Sequence, residues 1–202
     1  MGNRFMTRAV FGALTVAAML LAGTAQAALQ NRDLNGDGQT DAFYDTDLNI
    51  TWLRDVNVAQ QNWYQWVASA ASFSFGSYSD WRLPGSDSCV VQHCVGSEMG
   101  HLWFIELGNS EGHPINTGGF QNLQFTPYES YWSGTDVGPQ AYSYVFYANG
   151  NGLQFLQTKS AAVLAMLVRD GDVMAAIPEP ETYALMLGGL AALALAIRQK
   201  RR

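Results

Sequence analysis

Polar and apolar positions divide the chain into three stretches of different character. Near the start, an apolar run Ala9–Ala22 follows Arg4 and Arg8. Near the end, Thr182–Ile197 carries no charge and is dominated by Ala, Leu and Gly. Between them the hydrophobic residues are spaced rather than continuous. Trp63, Trp66, Val67 and Ala70 fall on one face at helical spacing and predict a helix over Gln60–Phe73. A second helix is predicted from Ser97, an N-cap followed by Glu98, through Met99, Leu102, Trp103 and Leu107 to a stop at Gly108-Asn109. After that the period falls to two. Tyr131–Thr135, Ala141–Tyr147, Leu153–Thr158 and Ala162–Arg169 predict short strands, with Asn149-Gly150-Asn151-Gly152 as a hairpin turn. Asn109–Glu129 is rich in turn formers, has no clear period and is expected to be a long irregular loop. Helices first and antiparallel strands after predict an α+β domain.

The two apolar ends are processing and targeting segments in character. The first has a positive start, an apolar centre too short for a comfortable membrane span, and the small-x-small pattern Ala25-Gln26-Ala27. Residues 1–27 are therefore expected to be a signal peptide whose helix is removed by cleavage before Ala28. The last apolar run corresponds to about 24 Å of helix against a hydrocarbon core of ~30 Å. It is a transmembrane-helix candidate when flanking residues extend or snorkel it. Arg198, Lys200, Arg201 and Arg202 follow it and are expected to stay on the cytoplasmic side, placing the body on the other.

Ile177-Pro178-Glu179-Pro180, the apolar run and the basic end occur in this order at the extreme C-terminus. Together they resemble the PEP-CTERM sorting signal of Gram-negative bacteria, with Ile177 where Val is usual. The resemblance implies that a membrane-embedded exosortase recognises residues 177–202 through Pro178, Glu179 and Pro180. It also implies an inner-membrane intermediate and delivery to the cell surface or exopolysaccharide matrix.

Charge narrows the partners. Of 11 basic and 17 acidic residues, the two end segments take 6 and 2, which leaves the body, 28–176, with a formal net charge of −10. Nucleic acid needs a basic footprint and is excluded as a partner. A body of about 150 residues is one domain able to bury a core. Cys89 and Cys94 lie in Cys-Val-Val-Gln-His-Cys. In an exported chain a disulfide is the default for such a pair; a metal alternative would recruit His93 and His101.

Five further blocks carry a second resemblance. They are Tyr44-Asp45-Thr46-Asp47-Leu48-Asn49-Ile50-Thr51-Trp52-Leu53, Tyr78-Ser79-Asp80-Trp81-Arg82-Leu83-Pro84, Ser97-Glu98-Met99-Gly100-His101-Leu102, Tyr131-Trp132-Ser133-Gly134-Thr135 and Val168-Arg169-Asp170-Gly171-Asp172-Val173. In this order they resemble the DUF1566, or Lcl C-terminal domain, family in its PEP-CTERM-associated form. The Gly85–Gly96 insertion departs from that pattern just before the second helix. The resemblance implies a C-type-lectin-like fold with two helices and a short-stranded antiparallel sheet, related to the formylglycine-generating group. Characterised relatives bind sulfated polysaccharides.

Candidate chemistry is concentrated in Asp33-Leu34-Asn35-Gly36-Asp37-Gly38-Gln39-Thr40-Asp41. Oxygen-bearing side chains at loop positions 1, 3, 5 and 9, with Gly at 6, suit a Ca²⁺ ion, and Gln39 at position 7 would offer its carbonyl. Tyr44 stands at position 12 in place of the usual bidentate acid, with Asp45 one residue later. Asn116, Gln121, Asn122 and Tyr128 in the long loop are candidate sugar ligands, because amides bond hydroxyls and aromatic faces stack on sugar rings. A net charge of −10 favours a neutral or cation-bridged polysaccharide over a sulfated one. Asp80-Trp81-Arg82 is expected to fix a turn before Pro84. His101 and Glu106, five apart on a predicted helix, are not expected to stack for metal or acid/base work. No nucleophile motif or phosphate loop is found, so an enzyme is not expected. The chain thus reads as an exported carbohydrate-binding matrix protein. The alternatives are a structural matrix protein with no ligand site and an enzyme related to the formylglycine-generating group.

Overall fold

The computed structural model describes residues 29–173 apart from 57–58, 112, 126–128, 139–141 and 149–150. The expected signal helix and C-terminal transmembrane helix lie outside the described residues. Among the described residues, no helix is long and apolar enough to cross a membrane.

The fold is mostly β, which corrects the expected α+β, C-type-lectin-like architecture. Three strands precede the first helix: β1 (Gln30–Arg32), β2 (Ala42–Asp45) and β3 (Ile50–Leu53). The closing strand β7 (Val168–Asp170) returns to pair with β3, giving a four-stranded antiparallel sheet in the order β1-β2-β3-β7. The strands β4 (Ser130–Asp136), β5 (Tyr142–Tyr147) and β6 (Gln154–Thr158) form a second antiparallel sheet. The first sheet was hidden in the sequence for a physical reason. Its strands are three or four residues long, and β3 is buried at every position, so no alternation marks it.

Two short helices pack on this frame. Helix α1 (Trp63–Ser72) starts at a reciprocal cap in which Asn62 and Gln65 each bond the other's backbone N–H. It buries Trp63, Trp66 and Ala70, while Val67, expected on the same face, is 37% exposed. Three indoles then tie distant segments: Trp63 Nε1 donates to the Ser133 carbonyl, Trp66 Nε1 to Val163 and Trp132 Nε1 to Gln61. Helix α2 (Glu98–His101) is capped by Ser97, whose hydroxyl accepts from Gly100 N, and continues as a π-helical turn, Leu102–Glu106.

The stretch expected as a strand over Ala162–Arg169 is mostly a strap. Val163 bridges to Gln61, Leu164 to Tyr131 and Leu167 accepts from Leu53 N; only its last part enters β7. It has this irregular course because it crosses from the second sheet to the first. One core group lies on the side of the π-helical turn, around Trp52, Trp103, Tyr131 and Phe146. The other lies under α1, around Trp66, Trp81, Trp132 and Val145.

Candidate functional site

The Asp33–Asp41 loop joins β1 to β2. Gly36 and Gly38 have φ of 81° and 84°, a conformation that glycine adopts without a Cβ penalty. These turns aim successive N–H groups at the acidic side chains. Asp33 accepts from Asn35, Gly36 and Gly38 N at 3.1, 2.7 and 2.7 Å. Asn35 Oδ1 accepts from Asp37 N, Asp37 Oδ1 accepts from Gln39 N, and Asp41 Oδ2 accepts from Leu34 N. The Gly38 N–H, with those of Gly36, Asn35 and Asp37, holds the Asp33 carboxyl below the usual carboxylate range against the opposing effect of burial. One carboxylate oxygen each from Asp33, Asp37 and Asp41 lies within 4.8 Å of the others. Three hard carboxylate oxygens so close suit a divalent cation with oxygen preference. Asp45 does not complete this loop. It lies at the far end of β2, where its Oδ1 accepts from Asp47 and Leu48 N.

The end of this loop forms one wall of a cleft of about 700 Å³. Gln39, Thr40 and Asp41 line it together with Gln121 and Asn122, and Trp66, Phe73 and Phe75 form part of its apolar lining. Gln121 is placed by its backbone, which donates to Arg54 O and accepts from Val56 N. Asn122, at φ 60°, donates through Nδ2 to Asp55 Oδ1 at 2.7 Å. Arg54 bonds the carbonyls of Thr40 and Gly119, so it ties the Asp33–Asp41 loop to the long loop. Asp55 and Arg54 were not singled out by the sequence, since the cleft joins residues far apart along the chain.

Asn116, also expected as a sugar ligand, is not among the residues that line this cleft. Asn116 spends its amide on loop packing: Nδ2 donates to Leu107 O and Oδ1 accepts from Gly118 N. Tyr128 lies outside the described residues. Cys89 and Cys94 form a disulfide. His93 stacks on Phe104 with centroids 4.0 Å apart, away from any role as a ligand beside the cysteines. In the Asp80-Trp81-Arg82 block the two charges do not pair with each other. Asp80 binds Arg169, and Arg82 binds Glu98 and Asp170.

His101 and Glu106, by contrast, do meet. The chain between them is π-helical, and its wider turn brings residues five apart onto one side. His101 Nε2 lies 3.4 Å from Glu106 Oε1. Burial, followed by the nearby Asp45 charge, raises the Glu106 carboxyl above its ordinary range. The expectation that these two side chains stay apart assumed an α-helical pitch and is corrected here.

Residues 176–202 match the PEP-CTERM protein-sorting motif. With Pro178-Glu179-Pro180, the apolar run and the basic end inside that match, the chain is an exported, exosortase-sorted protein carried through the cell envelope to the surface. No DUF1566 or lectin-like family matches. No curated protein and no solved structure matches the chain.

Proposed function

We propose that the exported body, residues 28–176, is a polysaccharide-binding protein of the cell surface or matrix, with its ligand in the cleft between Gln39–Asp41 and Gln121–Asn122. The observation that carries this reading is the convergence of two separately predicted groups on one cleft. Exposed amides bond sugar hydroxyls, and an apolar floor receives the less polar face of a ring. Calcium in the Asp33–Asp41 loop would fix the wall that carries Gln39 and Asp41. The net charge of −10 on the body favours neutral or cation-bridged chains.

A glycan array probed with the exported protein, with and without Ca²⁺, tests the proposal. Binding to a restricted set of neutral or uronate glycans, weakened by Asn122→Ala, is the expected result. Uniform absence of binding in both conditions would return the protein to a structural role in the matrix.

A further inference from the structure

We propose that Asp45, His101 and Glu106 form a binding site for one divalent transition-metal ion of the Zn²⁺ or Mn²⁺ class. The site is separate from the cleft and from the Asp33–Asp41 loop. It joins the end of β2 to the end of α2 and the π-helical turn that follows.

Four ligand-type atoms converge there without partners. Asp45 is fully buried; its Oδ1 is fixed by Asp47 and Leu48 N at 3.0 Å each, while Oδ2 is buried and accepts nothing. The Glu106 side chain is 1% exposed, and both of its oxygens are buried without a hydrogen bond. His101 Nε2 is likewise buried and unbonded. One ligand-type atom from each of the three residues lies within 4.8 Å of the others. Asp47 Oδ2, on a half-exposed side chain, stands 3.9 Å from His101 Nε2 at the edge of the group.

An unpartnered buried polar atom costs about 1–3 kcal/mol, and more when charged, so four in one place require a compensating group. Outside the group itself, the described protein supplies none. Its five Lys and Arg side chains, Arg32, Arg54, Arg82, Lys159 and Arg169, are all bonded elsewhere. Within the group, His101 Nε2 stands 3.4 Å from Glu106 Oε1 and pairs with it only in part, which leaves Glu106 Oε2 and Asp45 Oδ2 without a partner. That separation is about what two ligand atoms show when each sits about 2.1 Å from a tetrahedral ion. The donor set decides the class of metal. One imidazole nitrogen with carboxylate oxygens suits Zn²⁺, Mn²⁺ or Fe²⁺, whereas Ca²⁺ takes six to eight oxygens. The π-helical turn is a form frequent at functional sites, and here it supplies the five-residue spacing that brings His101 to Glu106.

The test uses the full chain in detergent, stripped with chelator and titrated with Zn²⁺, Mn²⁺ or Co²⁺ alone by calorimetry, with Co²⁺ absorption reporting nitrogen and oxygen coordination. One ion per chain is expected. Glu106→Gln and His101→Ala should each weaken it by more than about ten-fold, the cost of disturbing even an outer-shell partner. Asp33→Asn with Asp37→Asn should leave it unchanged. Circular dichroism on Glu106→Gln, a near-isosteric change, keeps loss of metal distinct from loss of fold. Wild-type protein that takes up none of the three ions would overturn the proposal. So would uptake abolished by the Asp33/Asp37 changes and untouched by Glu106→Gln. Because the cleft is elsewhere, glycan binding and metal binding stand or fall separately.

Discussion

Arg82 meets Glu98 in a two-point contact, with Nη1 and Nη2 donating to Oε2 and Oε1 at 2.8 Å each.. Glu98 is the first residue of α2, so the contact fixes that helix against the Leu83-Pro84 turn and, through Asp170, against β7. Glu98 also accepts from Gly85 N at 2.6 Å, which ties down the start of the cysteine loop. Paired contacts of this planar kind are ones that lysine does not reproduce. Arg82→Ala should lower unfolding free energy by about 1–2 kcal/mol, a figure kept modest because the guanidinium is 35% exposed. Arg82→Lys should recover less than half of that in urea titrations.

The sequence showed this region in outline. Ser97 was legible as a cap and the helix behind it as a helix, because capping and apolar spacing are local signals. The partner of Arg82 was not legible: Glu98 is sixteen residues away and nothing local distinguishes it from Asp80. Helix α1 and the strands of the second sheet were found by period, whereas β1, β2, β3 and β7 were too short or too buried to show one. For the candidate site, the Asp33–Asp41 motif lies within one loop and could be read directly. Its neighbourhood with Gln121 and Asn122 depends on the Arg54 bridge and could not. His101 and Glu106 were misjudged because a π-helical turn leaves no simple mark in composition.

Gly100 is the tightest point beneath α2. A methyl group there would collide with the Cys94 carbonyl oxygen and lie 2.8 Å from Ser97 Oγ, the capping atom. Backbone cannot yield as a flexible side chain would. Gly100→Ala should therefore destabilise by about 1–3 kcal/mol in spite of alanine's better helix propensity. Thermal unfolding followed by circular dichroism checks the sign; a stabilised variant would contradict the packing.

Loss of the Cys89–Cys94 bridge acts on the same segment from outside. The loop it closes is short, with a sequence separation of 5, so chain entropy gives it only about 2 kcal/mol. Cys89→Ser with Cys94→Ser should reduce stability by about that amount. Proteolysis should then cut first near Val90–Gln92, which are exposed.

Asp80 and Arg169 predict part of the acid response. The Arg169 side-chain hydrogen bonds, at 2.8 and 2.9 Å, hold the Asp80 carboxyl below its ordinary range against a small opposing effect of burial. A carboxyl depressed in the folded state binds fewer protons there than in the unfolded chain. Its stabilising effect is complete above the unfolded value of about 3.9 and is lost as pH falls through the lower folded value. Asp80→Asn should cost about 0.2–1 kcal/mol at pH 7, since the carboxylate is 57% exposed and screened. At pH 2 variant and wild type should converge in stability; a constant gap across that range would argue against the ion pair.

The Asp33–Asp41 loop predicts a cation response that is independent of the other acidic group. Its three carboxylates share one small volume, and calcium binding to the folded form alone raises stability by mass action. At an ion concentration 100-fold above Kd the gain is about 2.7 kcal/mol. Asp33 is the natural residue to remove, since its two oxygens anchor the N–H groups of Asn35, Gly36 and Gly38. Asp33→Ala should abolish the Ca²⁺-dependent rise in melting temperature and loosen the loop even without the ion. Asp33→Asn retains one accepting oxygen and should lose the ion response while preserving more of the loop's order. Melting curves of the three proteins with Ca²⁺ and with chelator distinguish these outcomes. Equal curves for wild type in the two conditions would mean that the loop is held by its backbone N–H groups alone.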